Sequence, residues 1–188
     1  MSRVRKDRRR KSIDKQTELV ITNNIFGEFD WETKNGDVSI ILNDRGDYDF
    51  AEFGELRKMK PYLEKLKVLI TEVNDDEVSI MDVADGFRIG DVYSDFFKYI
   101  EGLSVDEVTP DDVIDVEDVE DFIIDSDADE FKEALDSNLR LMLIEYGVNL
   151  YRQHKLNDYE KLEAIKQSRN LSPVEAEEFW SDVMASEI

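Results

Sequence analysis

The sequence predicts an α+β fold: a small antiparallel β-sheet with helices in the N-terminal half, a helical C-terminal half, and a disordered basic N-terminal arm. Three observations predict it. Apolar residues alternate at a period of two through residues 18–50 and return as a short apolar run at 68–73. From about residue 109 onward they recur at spacings of three and four. The charge also changes sign after the first fifteen residues.

Residues 1–16 have no apolar periodicity and read as an arm. Arg3, Arg5, Lys6, Arg8, Arg9, Arg10, Lys11 and Lys15 stand against Asp7 and Asp14, a net of +6. The chain as a whole carries −22, so −28 falls on the remainder. A short arm and a large body of opposite sign mark an interaction tail. The plainer reading is a solubilising terminus. Arg3, Arg5, Lys6, Arg8, Arg9, Arg10 and Lys11 are candidate partner contacts, and arginine suits bidentate pairing with carboxylate or phosphate. Of the two anions, an acidic protein surface fits better than nucleic acid. The −28 body would repel a phosphate backbone lying more than a Debye length, roughly 8–10 Å, from the arm.

Residues 18–50 predict three or four short antiparallel strands. Leu19, Val20 and Ile21 centre the first, Phe29 and Trp31 share a face of the second, and Val38 to Leu42 form another. Asn35-Gly36 between two such runs is a hairpin signal, because both residues tolerate positive φ. Arg45-Gly46-Asp47 marks a further turn. Ala51 to Lys60 predicts a helix through Phe53, Leu56 and Met59, ended or kinked at Lys60 by Pro61. Val68 to Val73 predicts one more strand. Helices are expected over Asp76–Ala84 and Asp91–Leu103.

The second half reads as all helix. Thr109-Pro110-Asp111-Asp112 offers an N-cap with proline at the first helical position. Asn157 with Glu160, and Ser172-Pro173-Val174-Glu175, offer two more starts. The longest helix is expected from Asp127 to His154, with Phe131, Leu135, Leu139, Met142, Tyr146 and Leu150 on one stripe. Leu141, Leu143, Ile144 and Val148 widen that stripe, so burial on more than one side is expected. The organisation is therefore an arm (1–16), an α+β domain (17–103) and an acidic helical subdomain (104–188).

Composition excludes several classes of function. With no cysteine there is no disulfide, thiolate metal site or cysteine nucleophile. No apolar run approaches the roughly 20 residues of a membrane span. The basic start lacks the apolar core of a secretory signal, so the cytoplasm is the expected compartment. His154 is the one histidine, which rules out a two-histidine zinc site within the chain. It reads as a residue at a helix C-terminus, favoured there by the dipole. No catalytic residue, metal, cofactor or small-molecule substrate is expected.

Two short patterns imitate metal chemistry. Pro110-Asp111 with Glu130-Phe131-Lys132 has the residue types of a magnesium-dependent nuclease, but that chemistry needs them at the lips of adjacent strands. Asp125, Asp127 and Asp129 resemble the start of a calcium loop, but Glu130 stands where the sharp turn needs glycine. An N-cap at Ser126 explains them more simply. The aromatic residues Phe26, Phe29, Trp31, Tyr48, Phe50 and Phe53 lack interleaved basic residues, so they read as core and not as a base-stacking surface.

Residues 104–130 hold 13 Asp or Glu and no Lys or Arg. This stretch is a solvated helix face, a docking surface for a basic partner, or a mimic of nucleic-acid phosphates. Asp115, Asp118 and Asp121 are its candidate partner-binding residues.

Asn23-Asn24-Ile25-Phe26-Gly27, Phe53-Gly54-Glu55-Leu56-Arg57-Lys58-Met59 and Lys155-Leu156-Asn157-Asp158-Tyr159-Glu160-Lys161 give the chain a layout that resembles uncharacterised virion and assembly proteins of tailed bacteriophages. The resemblance touches about half of the chain and carries no functional residue with it. It implies a non-enzymatic virion or assembly component that binds other such proteins as an oligomer, located in the host cytoplasm and in the virion. The alternative is an acidic regulatory protein that occupies a nucleic-acid-processing protein as a nucleic-acid mimic.

Overall fold

Leu19, Val20 and Ile21 place three consecutive apolar side chains in β1 (Glu18–Asn23), and such a strand must be covered on both faces. It lies at the centre of a three-stranded antiparallel sheet, between β4 (Tyr48–Glu52) and β5 (Val68–Val73). A separate hairpin joins β2 (Phe29–Glu32) to β3 (Ser39–Leu42), pairing Phe29 with Leu42 and Trp31 with Ile40. Gly36 turns that hairpin at φ 74°, as the Asn35-Gly36 pair predicts. The chain is described over residues 11–169, 171 and 173–185 in this computed structural model.

The β1–β5 ladder slips between Val20 and Ile21, so Thr71 stands as an extra residue. The slip is satisfied locally. The Ile70 amide donates to the Tyr93 hydroxyl at 2.8 Å, and Thr71 Oγ1 lies 2.8 Å from Thr22 Oγ1. The Thr71 carbonyl accepts from the Ile114 amide at 2.9 Å, which ties the acidic stretch to the sheet.

The helix expected over Ala51–Lys60 is broken up. Ala51 and Glu52 complete β4. The chain then makes α1 (Phe53–Leu56), a 3₁₀ turn (Arg57–Met59) and α2 (Lys60–Leu63). Pro61 does not end a helix at Lys60. It sits in the first turn of α2, where a missing N–H costs nothing. Next come α3 (Ile80–Phe87), capped by Ser79 and Asp82, and α4 (Gly90–Tyr99). No helix opens at Thr109-Pro110. The Asp112 carboxylate binds the Thr109 amide and hydroxyl, and the resulting turn leads the chain to its bond with Thr71. The acidic helix α5 (Glu117–Asp125) starts later.

The long helix expected from Asp127 to His154 is two helices, α6 (Ala128–Leu135) and α7 (Arg140–Arg152). The break is chemical. Ser137 Oγ donates to the Ala134 carbonyl at 2.6 Å and accepts from the Leu139 amide at 3.1 Å. Asn138 donates from its amide and from Nδ2 to Asp95. Short polar side chains thus replace the helical ladder, while the apolar spacing runs on unbroken. The N-cap of α6 is Asp127, one residue beyond Ser126, and that of α8 (Tyr159–Ser168) is Asp158, not Asn157. His154 lies just past α7 with φ 60°. It ends that helix in a Schellman turn, its amide bonded to the Tyr151 carbonyl and that of Lys155 to the Leu150 carbonyl. The last helix, α9, spans Pro173–Ala185. Proline holds its first position as expected, and Ser172 lies outside the described residues.

One apolar core runs from Leu19 to Val183. Gly147 lets α7 and α8 approach closely, since a Cβ there would lie 2.4 Å from Ile165 Cδ1. Lys161 of α8 is only 1% exposed. Its ammonium donates to the carbonyls of Ile123 and Ile124 at 2.8 and 3.0 Å, at the C-terminal end of α5. A cation there meets the negative pole of that helix.

A polar joint crosses the core. The Tyr146 hydroxyl donates to Asn24 Oδ1, and Asn24 Nδ2 donates to the Leu66 carbonyl at 2.8 Å. The Asn24 amide reaches the Lys67 carbonyl at 3.0 Å. Beside it the Arg45 guanidinium lies over the Phe26 and Tyr146 rings at 5.3 and 5.4 Å and pairs with Glu120 at 3.2 Å. Asn24→Leu keeps the volume but leaves the Leu66 carbonyl and the Tyr146 hydroxyl without that partner. We expect a loss of about 3 kcal/mol of stability, seen as a lower urea midpoint with unchanged slope.

Candidate functional site

Lys65 and Lys67 flank the left-handed turn at Leu66 that leads into β5. That turn faces the outer side of α7. Between them, and extending to Ser168 and Arg169 at the end of α8, lies a cleft of about 810 Å³. Its floor is apolar: Leu141, Ile144 and Val148 follow α7 at helical spacing. Leu141 is 64% exposed. Of the residues that widen the apolar face of this helix, Leu143 and Ile144 are buried, Val148 is half-buried and Leu141 is exposed. One side meets the core and the other lines the cleft.

The rim is cationic. Among the described residues that line the cleft, Lys65, Lys67, Arg140, Arg152 and Arg169 stand against the single carboxylate of Glu145, in a chain whose acids outnumber its bases 46 to 24. Arg152 is engaged, its Nε donating to the Val183 carbonyl at 3.0 Å, and Arg169 lies 5.2 Å over the Phe179 ring. Among the described residues, Lys65, Lys67 and Arg140 have no carboxylate at ion-pair distance. The cleft offers apolar contact below and free positive charge at the edge.

The acidic face has the opposite character. Val119 and Ile123 bury one side of α5. Glu117, Asp121, Ile124 and Asp125 point outward, with Ile124 40% exposed. The structure brings Asp115, Asp118 and Asp121 into one patch. Partial burial, and then Asp115, Asp121 and Glu117, hold the Asp118 carboxyl above its ordinary range. Asp115 caps the turn before α5, accepting from the Glu117 amide at 2.9 Å.

Of the basic candidates, only Lys11 lies within the described residues. Arg3, Arg5, Lys6, Arg8, Arg9 and Arg10 lie outside the described residues. Lys11 donates to the Glu77 carbonyl, just before α3. The cations of the cleft escaped sequence reasoning because they are scattered between residues 65 and 169 and form no local run. The one signal for them was the surplus apolar width of α7.

The metal-like patterns resolve as local structure. Asp127 Oδ1 accepts from the amides of Asp129 and Glu130 at 3.0 and 2.9 Å, which makes this segment a helix start. Asp111 sits in a turn and Glu130 in the first turn of α6, so neither lies on a strand. Among the described residues no group of three or more His, Asp or Glu is placed to hold a metal ion. Nor is any helix among them long and apolar enough to cross a membrane. Of the aromatic residues expected in the core, Phe29 and Phe53 are buried, Phe26 and Trp31 are half-buried, and Tyr48 and Phe50 are exposed on the edge strand β4. Comparison with protein-family models, curated proteins and solved structures finds no match to this chain.

Behind the acidic face stands Glu101, whose Oε1 is buried and finds no hydrogen-bond partner among the described residues. Burial, and then Asp118, Asp115 and Asp112, push its carboxyl up to about 7. A carboxyl raised in the folded state binds its proton more tightly there than in the unfolded chain. Its contribution is therefore full below the unfolded value of 4.5 and is lost as pH rises through about 7. Glu101→Gln should match the wild type near pH 5 and exceed it near pH 8. The gap is on the order of 1 kcal/mol once solvent screening is allowed for, read by urea unfolding at both pH values.

Proposed function

We propose that this chain is a non-enzymatic assembly protein that acts through protein–protein contacts, as a component of a tailed-phage virion or of its assembly. The observation that supports it is the segregation of charge. The cleft holds five cations against the single carboxylate of Glu145, and the α5 face holds a run of carboxylates that keeps Asp118 above its ordinary range. Among the described residues Lys65, Lys67 and Arg140 have no carboxylate at ion-pair distance, and each surface carries an exposed apolar side chain, Leu141 and Ile124. Such patches form specific contacts: the charges steer and orient, and the apolar centre supplies affinity. The phage setting rests on the resemblance of sequence layout.

The basic arm belongs to the same reading. Its cations, from Arg3 to Lys11, have an acidic surface on a neighbour as their natural partner. Deleting residues 2–11 should leave the melting temperature unchanged and lower the mass of the assembly in light scattering. An unchanged mass contradicts the role of the arm. A chain that is monomeric with and without the arm favours the acidic regulatory reading, in which Asp115, Asp118 and Asp121 occupy a nucleic-acid-binding protein. Competition with DNA for such a protein is then the expected finding.

A further inference from the structure

The cleft along α7 is long enough to take the outer face of α5, is opposite to it in charge, and like it carries exposed apolar surface. From Leu141 to Arg152 the cleft follows twelve residues of helix, about 18 Å at 1.5 Å per residue. The nine residues of α5 span about 13 Å by the same measure. On α7, Leu141, Ile144 and Val148 form a stripe edged by Arg140 and by Lys65 and Lys67 from the facing loop. On α5, Glu117, Asp121 and Asp125 form a stripe with Ile124 beside them.

We infer that the cleft receives the acidic α5 face of a second copy of this chain. This rests on the assembly reading and gives it a surface. Ile124 of one copy covers Leu141 of the other. Glu117, Asp121 and Asp125 meet Lys65, Lys67 and Arg140, the cleft cations that have no carboxylate at ion-pair distance among the described residues. Helix-in-groove recognition of this kind uses one apolar stripe and flanking charges. Both partners are preformed: Lys161 and the Arg45–Glu120 pair fix α5, and Asn24 fixes the cleft. Little ordering entropy opposes the contact. The contact also removes like-charge repulsion from the Asp118 patch.

Two reversals test this in the full chain. One variant carries Lys67→Glu with Arg140→Glu, and the other carries Glu117→Lys with Asp121→Lys. Melting curves check that both fold. Sedimentation equilibrium at low ionic strength should show each variant alone losing at least tenfold in self-association. The second variant is the sharper probe. It makes the chain less negative, and reduced overall repulsion would by itself strengthen association. An equimolar mixture of the two should recover association, because the intact α5 face of the first variant fits the intact cleft of the second, and mixed dimers form through that single contact with near wild-type affinity. A mixture that stays as weakly associated as either variant alone overturns the pairing of these two surfaces. A wild-type oligomer whose association neither variant changes overturns the inference and leaves self-assembly standing. A monomeric wild type removes self-assembly, and the inference falls with it.

Discussion

The buried side chain of Asn24 constrains everything that follows from this fold. At 2% exposure it holds the hydroxyl of Tyr146 on α7 with one end and the carbonyl of Leu66 with the other, while its backbone amide holds the carbonyl of Lys67. One wall of the cleft is α7 and the other is the turn at Leu66. The end of β1 thus sets the distance between two surfaces that lie far apart in sequence. Buried polar groups tolerate few alternatives, because a partner withdrawn leaves an unsatisfied donor or acceptor in a low dielectric. Burial also pushes the Tyr146 phenol up to about 12, which keeps it a neutral donor at neutral pH.

The joint also links the acidic stretch to the sheet. Arg45 leaves the β3–β4 turn to reach Glu120 and the Val116 carbonyl, and Lys155 reaches the other oxygen of Glu120. Ile114 completes the bulge at Thr71, and Lys161 caps α5 from within. The cations that stabilise α5 therefore stand behind it or at its ends, and its outer carboxylates stay open. Eight of the 24 basic residues lie in the first fifteen positions and five more surround the cleft. The other eleven stand against a large excess of carboxylates, so charge of the two signs falls on separate surfaces of the body.

Much of the architecture was legible in local pattern. The strands at Glu18–Asn23 and Val68–Val73 and the Asn35-Gly36 hairpin follow from alternation and turn chemistry alone. What was not legible depends on contacts distant in sequence. The apolar spacing from Phe131 to Leu150 continues across the break at Ser137, because α6 and α7 both face the core, and only the bonds of Ser137 and Asn138 interrupt the helix. Thr109-Pro110 has the composition of a helix start, but Asp112 turns back on Thr109 and Ile114 is drawn to the sheet. The acidic half of the candidate site could be read as a run of carboxylates. The cleft could not, since its cations come from a loop and two helices and meet only in three dimensions.

The central claim is that complementary charge on separate faces drives association of this protein with its neighbours. Light scattering of the purified chain at low and at high salt tests it most directly. Screening shortens the range of exposed charges to about 3 Å at 1 M salt. The account predicts an oligomer at low salt that dissociates as salt is raised. A monomer at both, or an oligomer indifferent to salt, would contradict it.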